Sequence, residues 1–150
     1  MDMVLYFGKS LWKAKEYFCN KKRILRSMTG ASSRATCRKL FCEFNILTLT
    51  SQYIFSLMRF LSSNLDTFTF NSSIHNLNTQ FRLKLHKPSV NLKMYQHGTY
   101  YNCINIYNKL PEDLASQIQN KSQFLLQLKR YLMDKPYYSL QEFFEHSTDP

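Results

Sequence analysis

The sequence predicts a mainly α-helical fold, a small helical bundle with a long irregular segment around residues 64–96 and further C-terminal helices, and three observations carry that expectation. Apolar residues recur at three- and four-residue spacing in several separate stretches, bounded by capping residues such as Ser and Asn on one side and by Gly or Pro on the other. Strand-like alternation is confined to short runs such as Phe81-Arg82-Leu83-Lys84-Leu85. Three Gly and four Pro among 150 residues do not make a low-complexity chain, while twelve Phe and ten Tyr supply the material of a core. A chain of this length can bury roughly two-thirds of the surface its unfolded form exposes.

A first helix is expected from about Ser10 to Met28, stopping at Thr29-Gly30, where glycine accepts the left-handed cap conformation. Leu11, Ala14, Phe18, Leu25 and Met28 fall near one stripe of it, and Lys15, Lys22 and Arg26 share another face. A second helix is expected to open near Ser32 or Ser33 and to place Cys37, Leu40, Phe41 and Phe44 on one side, with Arg34 and Arg38 away from it. The third, from about Thr50 or Ser51 to Ser62, is apolar nearly all round and should be the buried member.

Residues 64–96 lose helical periodicity, turn rich in Asn, Ser and Thr, and read as loop with an extended edge at most. His97 to Tyr107 fits helix or strand equally well. Leu110-Pro111-Glu112-Asp113 reads as a helix start, Asn120 as the cap of a helix closed by Pro136, and Ser139 with Glu142 as a capping box opening a last helix. Lys129 and Arg130 fall on a solvent face. The chain thus divides into a basic helical region (1–63), a loop-rich connector (64–96) and a C-terminal helical extension (97–150).

Charge is distributed unevenly along this chain. Residues 1–60 carry eleven Lys and Arg against Asp2, Glu16 and Glu43, and the net charge of the whole is +10. Such a balance favours nucleic acid or an anionic membrane, and composition does not choose between them. The N-terminus has an acid where a signal peptide needs a base, and the apolar stretch Tyr53 to Leu61 is far shorter than the roughly 20 residues a bilayer requires. A soluble intracellular protein, of cytoplasm or nucleus and not secreted, is therefore expected. Cys19, Cys37, Cys42 and Cys103 are then free thiols.

Catalytic chemistry finds no pattern here. Neither phosphate-cradling motif can be written with only Gly8, Gly30 and Gly98, and no nucleophile sits in a glycine-rich turn. The carboxylates are too scattered for two-metal chemistry. Cys37 and Cys42 stand about 140 degrees apart round a helix, which suits core packing better than zinc. His75, His86 and His97 read as loop histidines. No metal, cofactor or small-molecule substrate is expected. What remains is the basic set Lys15, Lys21, Lys22, Arg23, Arg26, Arg34, Arg38 and Lys39, able to follow a sugar-phosphate backbone with salt-dependent affinity. A merely solvated face is the competing account. Tyr100, Tyr101 and Tyr107 can stack on bases, although core packing explains them more simply.

A set of segments, taken in order, carries a further signal. Tyr6-Phe7-Gly8 with Trp12, Lys21 through Gly30, and Cys37-Arg38-Lys39-Leu40-Phe41 with Leu47-Thr48-Leu49 come first. Ile74-His75-Asn76-Leu77-Asn78-Thr79, Tyr107-Asn108-Lys109-Leu110-Pro111 and Tyr137 through Phe143 follow. Across roughly residues 4–144 the chain resembles the thumb and C-terminal extension of non-LTR, LINE- or jockey-like retrotransposon reverse transcriptases. The family often has Pro where Thr50 stands and Arg where Gln80 stands.

The resemblance implies a helical element that grips template and primer behind a polymerase site. It also implies that the paired Asp residues holding magnesium, and the endonuclease, belong to regions this sequence does not contain. The expected function is sequence-independent binding of RNA, DNA or their hybrid by a truncated fragment without polymerase activity of its own, with a missing palm domain as a further partner. A non-functional relic and a host-adopted protein-interaction module are the alternatives.

Overall fold

In the computed structural model the described residues are 11–75, 83–89 and 98–146, with side chains described from Glu16 onward and that of His75 excepted. They are mainly helical: α1 (Leu11–Thr29), α2 (Arg38–Glu43), α3 (Leu49–Ser63), a 3-10 turn at Leu65–Thr67, α4 (Asn71–His75), α5 (Thr99–Tyr107), α6 (Glu112–Ala115), α7 (Lys121–Asp134) and α8 (Leu140–His146). No helix among the described residues is long and apolar enough to cross a membrane.

The first two helices end by the same device. Gly30 takes a φ of 65° and lets the Ala31 amide donate back to the Arg26 carbonyl. At the end of α2, Asn45 takes a φ of 53°, with Ile46 N–H on Phe41 O and Asn45 N–H on Cys42 O. Both are Schellman closures, in which a residue in the left-handed region turns the chain and satisfies carbonyls that the helix leaves orphaned. Ile46 then packs on the same small cluster as Phe41, which accounts for the chain's path into α3.

Helix α2 begins later than the serine pair suggests. Ser32 closes a local turn, accepting the Ala35 amide on its carbonyl and the Arg34 amide on its hydroxyl. Arg26 then takes the Ala35 carbonyl with both Nε (3.2 Å) and Nη2 (2.9 Å), removing an acceptor that a longer α2 would need. Because α2 stops at Glu43, Phe44 falls outside the packed stripe and stays exposed, as does Met28 on α1.

Helix α3 supplies the centre of the core on one side only, since Phe60, expected within the buried helix, is exposed beside Arg59. Tyr53, Ile54, Leu57, Met58 and Leu61 enter the main core with Cys103, Ile104 and Tyr107 of α5 and Phe124, Leu128 and Leu132 of α7. Thr48 caps α3: its Oγ1 accepts from the Ser51 amide at 3.2 Å and lies 2.5 Å from the Tyr137 carbonyl. The 97–107 stretch, open between helix and strand by pattern, is helix from Thr99. Asn120 caps α7 by accepting the Gln123 amide, and α7 ends at Asp134, just before Pro136.

The connector is more regular than its composition suggests where it is described. His75, expected in a loop, closes the short helix α4, and Phe70 and Leu85 form an antiparallel bridge. Asn108 completes this arrangement by accepting the Leu85 amide on Oδ1 (2.8 Å) and donating Nδ2 to the Leu85 carbonyl (2.9 Å), as a neighbouring strand would. Leu85 is consequently buried in the core. Asn76 to Thr79, Phe81, Arg82 and His97 lie outside the described residues.

Candidate nucleic-acid interface

A second, smaller core holds the basic region to the body. Leu25 of α1 packs with Cys37 and Phe41, and Phe18, Leu40, Ile46 and Tyr138 close around them. Tyr138 arrives from the far end of the sequence. Its ring meets Phe18 edge-on at 5.2 Å between centroids and Phe41 at 6.3 Å.

The eight basic positions divide by what each side chain does. Arg23, Arg34 and Lys39 are exposed. Lys21 extends over the Tyr17 ring at 5.0 Å and reaches Gln52 Oε1 at 3.5 Å, a link from α1 to α3. Lys22 lies between two aromatic faces, with Nζ 4.2 Å from the centroids of both Phe18 and Tyr138. Arg26 is committed to the Ala35 carbonyl. Arg38 stacks on Tyr138 at 4.3 Å, donates to the Pro136 carbonyl at 3.1 Å and forms an ion pair with Glu142. The side chain of Lys15 lies outside those described.

The shared face of Lys22 and Arg26 on α1 is thus turned toward the protein, not away from it. Their heads meet rings and a carbonyl because α1 leans on the 31–37 loop and on Tyr138 along that side. Arg23, almost opposite Leu25 around the helix, stays in water.

Glu142 does more than its capping spacing suggests. Its amide is capped by Ser139 Oγ at 3.1 Å, but its carboxylate reaches one residue beyond Ser139: Oε2 accepts the Tyr138 amide at 2.9 Å, and Oε1 takes Arg38. The Arg38 guanidinium, foremost by this hydrogen bond, holds the Glu142 carboxyl below the usual carboxylate range, and Arg38 is raised in return. Burial pushes the Tyr138 phenol up, against the opposing pull of Arg38 and Arg26. Its hydroxyl is buried without a hydrogen-bond partner.

Tyr138 and Glu142 are the members of this site that charge counting along the N-terminal region misses. The Ser139-to-Glu142 spacing was the available signal, and it marks a helix start without disclosing the second use of the carboxylate.

The other candidates are structural by their contacts. Tyr101 and Tyr107 are buried, Tyr107 with its hydroxyl on the Ala115 carbonyl at 3.2 Å, and Tyr100 stacks on Phe68 at 4.8 Å. Cys37 and Cys103 are buried, Cys42 is partly so and donates to the Met133 carbonyl, and Cys19 is exposed. Among the described residues no three His, Cys, Asp or Glu side chains converge. Comparison with family models, curated proteins and solved structures returns no match.

Proposed function

We propose that this chain is a sequence-independent nucleic-acid-binding module, corresponding to the thumb and C-terminal extension of a retrotransposon-type reverse transcriptase and without polymerase activity of its own. The observation that carries the reading is the exposure of Arg23, Arg34 and Lys39 in a stretch where Glu16 and Glu43 are the flanking acids, in a chain of net charge +10. The ordered set of family-like segments supports it independently. Cations free in water can each neutralise a phosphate and release counterions, whereas Arg26 and Arg38 already hold protein acceptors.

Titration of the intact protein with a labelled RNA–DNA hybrid across a salt series tests this reading. Affinity should fall steeply and linearly on a log–log plot. Binding indifferent to salt, or none at low salt, removes the proposal.

A protein-interaction role draws on a different observation. Tyr17, Ile24 and Met28 recur at seven- and four-residue steps along α1 and are 49%, 58% and 67% exposed, an apolar stripe open to solvent. A partner retained after nuclease treatment, and lost on Ile24→Glu, would favour that role over phosphate binding.

A further inference from the structure

Three of the partners held by Lys22 and Arg38 come from one short stretch, 136–142. Arg38 finds there the Pro136 carbonyl, the Tyr138 ring and the Glu142 carboxylate, and Lys22 finds the same Tyr138 ring. This stretch presents an aromatic ring beside an anionic oxygen, the pair of groups that a nucleotide presents as base and phosphate. Phe18 and Phe41 form the aromatic walls of the socket that the ring fills.

We propose that Tyr138 and Glu142 form a built-in strap that mimics a nucleotide, competing with incoming nucleic acid for Arg38, Lys22 and the Phe18–Phe41 socket. The proposal rests on the nucleic-acid-binding reading and adds a regulated part to it. Exposed Arg23, Arg34 and Lys39 make the first contacts, and the strap yields afterwards, exchanging its carboxylate for a phosphate on Arg38 and its ring for a base against Phe18.

The strap is built to let go without unfolding its surroundings. Tyr137 and Phe143 on either side are buried in the main core, and Tyr137 is further held through its carbonyl by Thr48. The Arg38 side chain, by contrast, is 44% exposed and Glu142 20%, so their ion pair lies within reach of water and competing anions. Rotation of two side chains opens the site while α8 stays anchored.

The test compares wild type, Glu142→Gln and Glu112→Gln for affinity toward a labelled RNA–DNA hybrid at fixed salt. Glu112 is exposed on α6, so its variant makes the same change in net charge without touching Arg38. Gln at 142 keeps an acceptor for the Tyr138 amide. Glu142→Gln should bind about fivefold tighter than Glu112→Gln, the scale of one partly exposed ion pair no longer in competition. Equal affinities of the two variants overturn the strap and leave the nucleic-acid reading standing. Absence of binding by every protein removes both.

A second measurement on the wild type avoids any folding defect. Hydrogen exchange at the Tyr138 amide, held by Glu142 Oε2, should accelerate when the hybrid saturates the protein, and an unchanged or slower exchange overturns the strap.

Discussion

The Thr48 hydroxyl oxygen lies 2.5 Å from the Tyr137 carbonyl while accepting the Ser51 amide, so one side chain both caps α3 and fastens the segment leading into α8. Thr48 is wholly buried, and removing the hydroxyl leaves both the helix amide and the Tyr137 carbonyl unsatisfied. Thr48→Ala should cost about 2 kcal/mol, from loss of the cap and of a buried partner together. Thr48→Ser, which retains the hydroxyl, should cost far less. Urea denaturation of the two variants checks the difference.

The Arg38–Glu142 pair gives stability a defined dependence on acid. Glu142 is depressed in the folded state from its ordinary value of 4.5, so its contribution is complete above that value and is lost as pH falls through the lower, folded one. A double-mutant cycle with Arg38→Gln and Glu142→Gln should show coupling of at most about 1 kcal/mol at neutral pH, because both side chains touch solvent. The coupling should vanish in acid, below the folded pKa of Glu142. Coupling that persists there would mean that the carboxylate's charge contributes nothing.

Charge reversal should separate surface cations from those with internal work. Arg23→Glu, Arg34→Glu and Lys39→Glu should weaken hybrid binding at little cost in stability, since each side chain is exposed. Each should also flatten the salt dependence by roughly 0.9 in log–log slope per lost duplex phosphate contact. Arg26→Glu should instead destabilise the fold, because it releases the Ala35 carbonyl and places a carboxylate against it. Parallel anisotropy titrations and thermal melts of the four variants distinguish the two groups.

How much of this was legible in the sequence follows from how local each determinant is. Gly30, Asn120 and Ser139 act on amides and carbonyls within a few positions of themselves, and the helix limits they announce are found to within a residue or two. Ser32 misleads because the same local chemistry serves a turn as well as a cap, and the choice is made by Arg26, which takes the Ala35 carbonyl from another helix. The basic face was divided in the same way. Periodicity places Lys22 and Arg26 on one side of α1, but which side meets protein depends on Tyr138, whose Lys22 contact joins opposite ends of the chain. Arg38 and Glu142 stand 104 positions apart, and no spacing rule spans that interval.

The four cysteines should report the packing of the body one by one. Burial pushes the Cys103 thiol up to about 12, and its sulfur lies 3.5 Å from the Leu57 carbonyl inside the main core. Thiolate is the reacting form, so at mildly alkaline pH Cys103 should resist an alkylating reagent until the core opens, while exposed Cys19 reacts at once. A group raised in the folded state contributes stability below its unfolded value, and that contribution is lost as pH rises through the folded one. Tyr107, also pushed up to about 12 by burial, adds to the same loss, so stability should decline from about pH 9 upward. Quantitative mass spectrometry of stepwise alkylation, with urea titrated in, should show Cys103 labelling coincide with global unfolding. Early labelling of Cys103, in step with Cys19, would place α5 outside the core that holds α3 and α7 together.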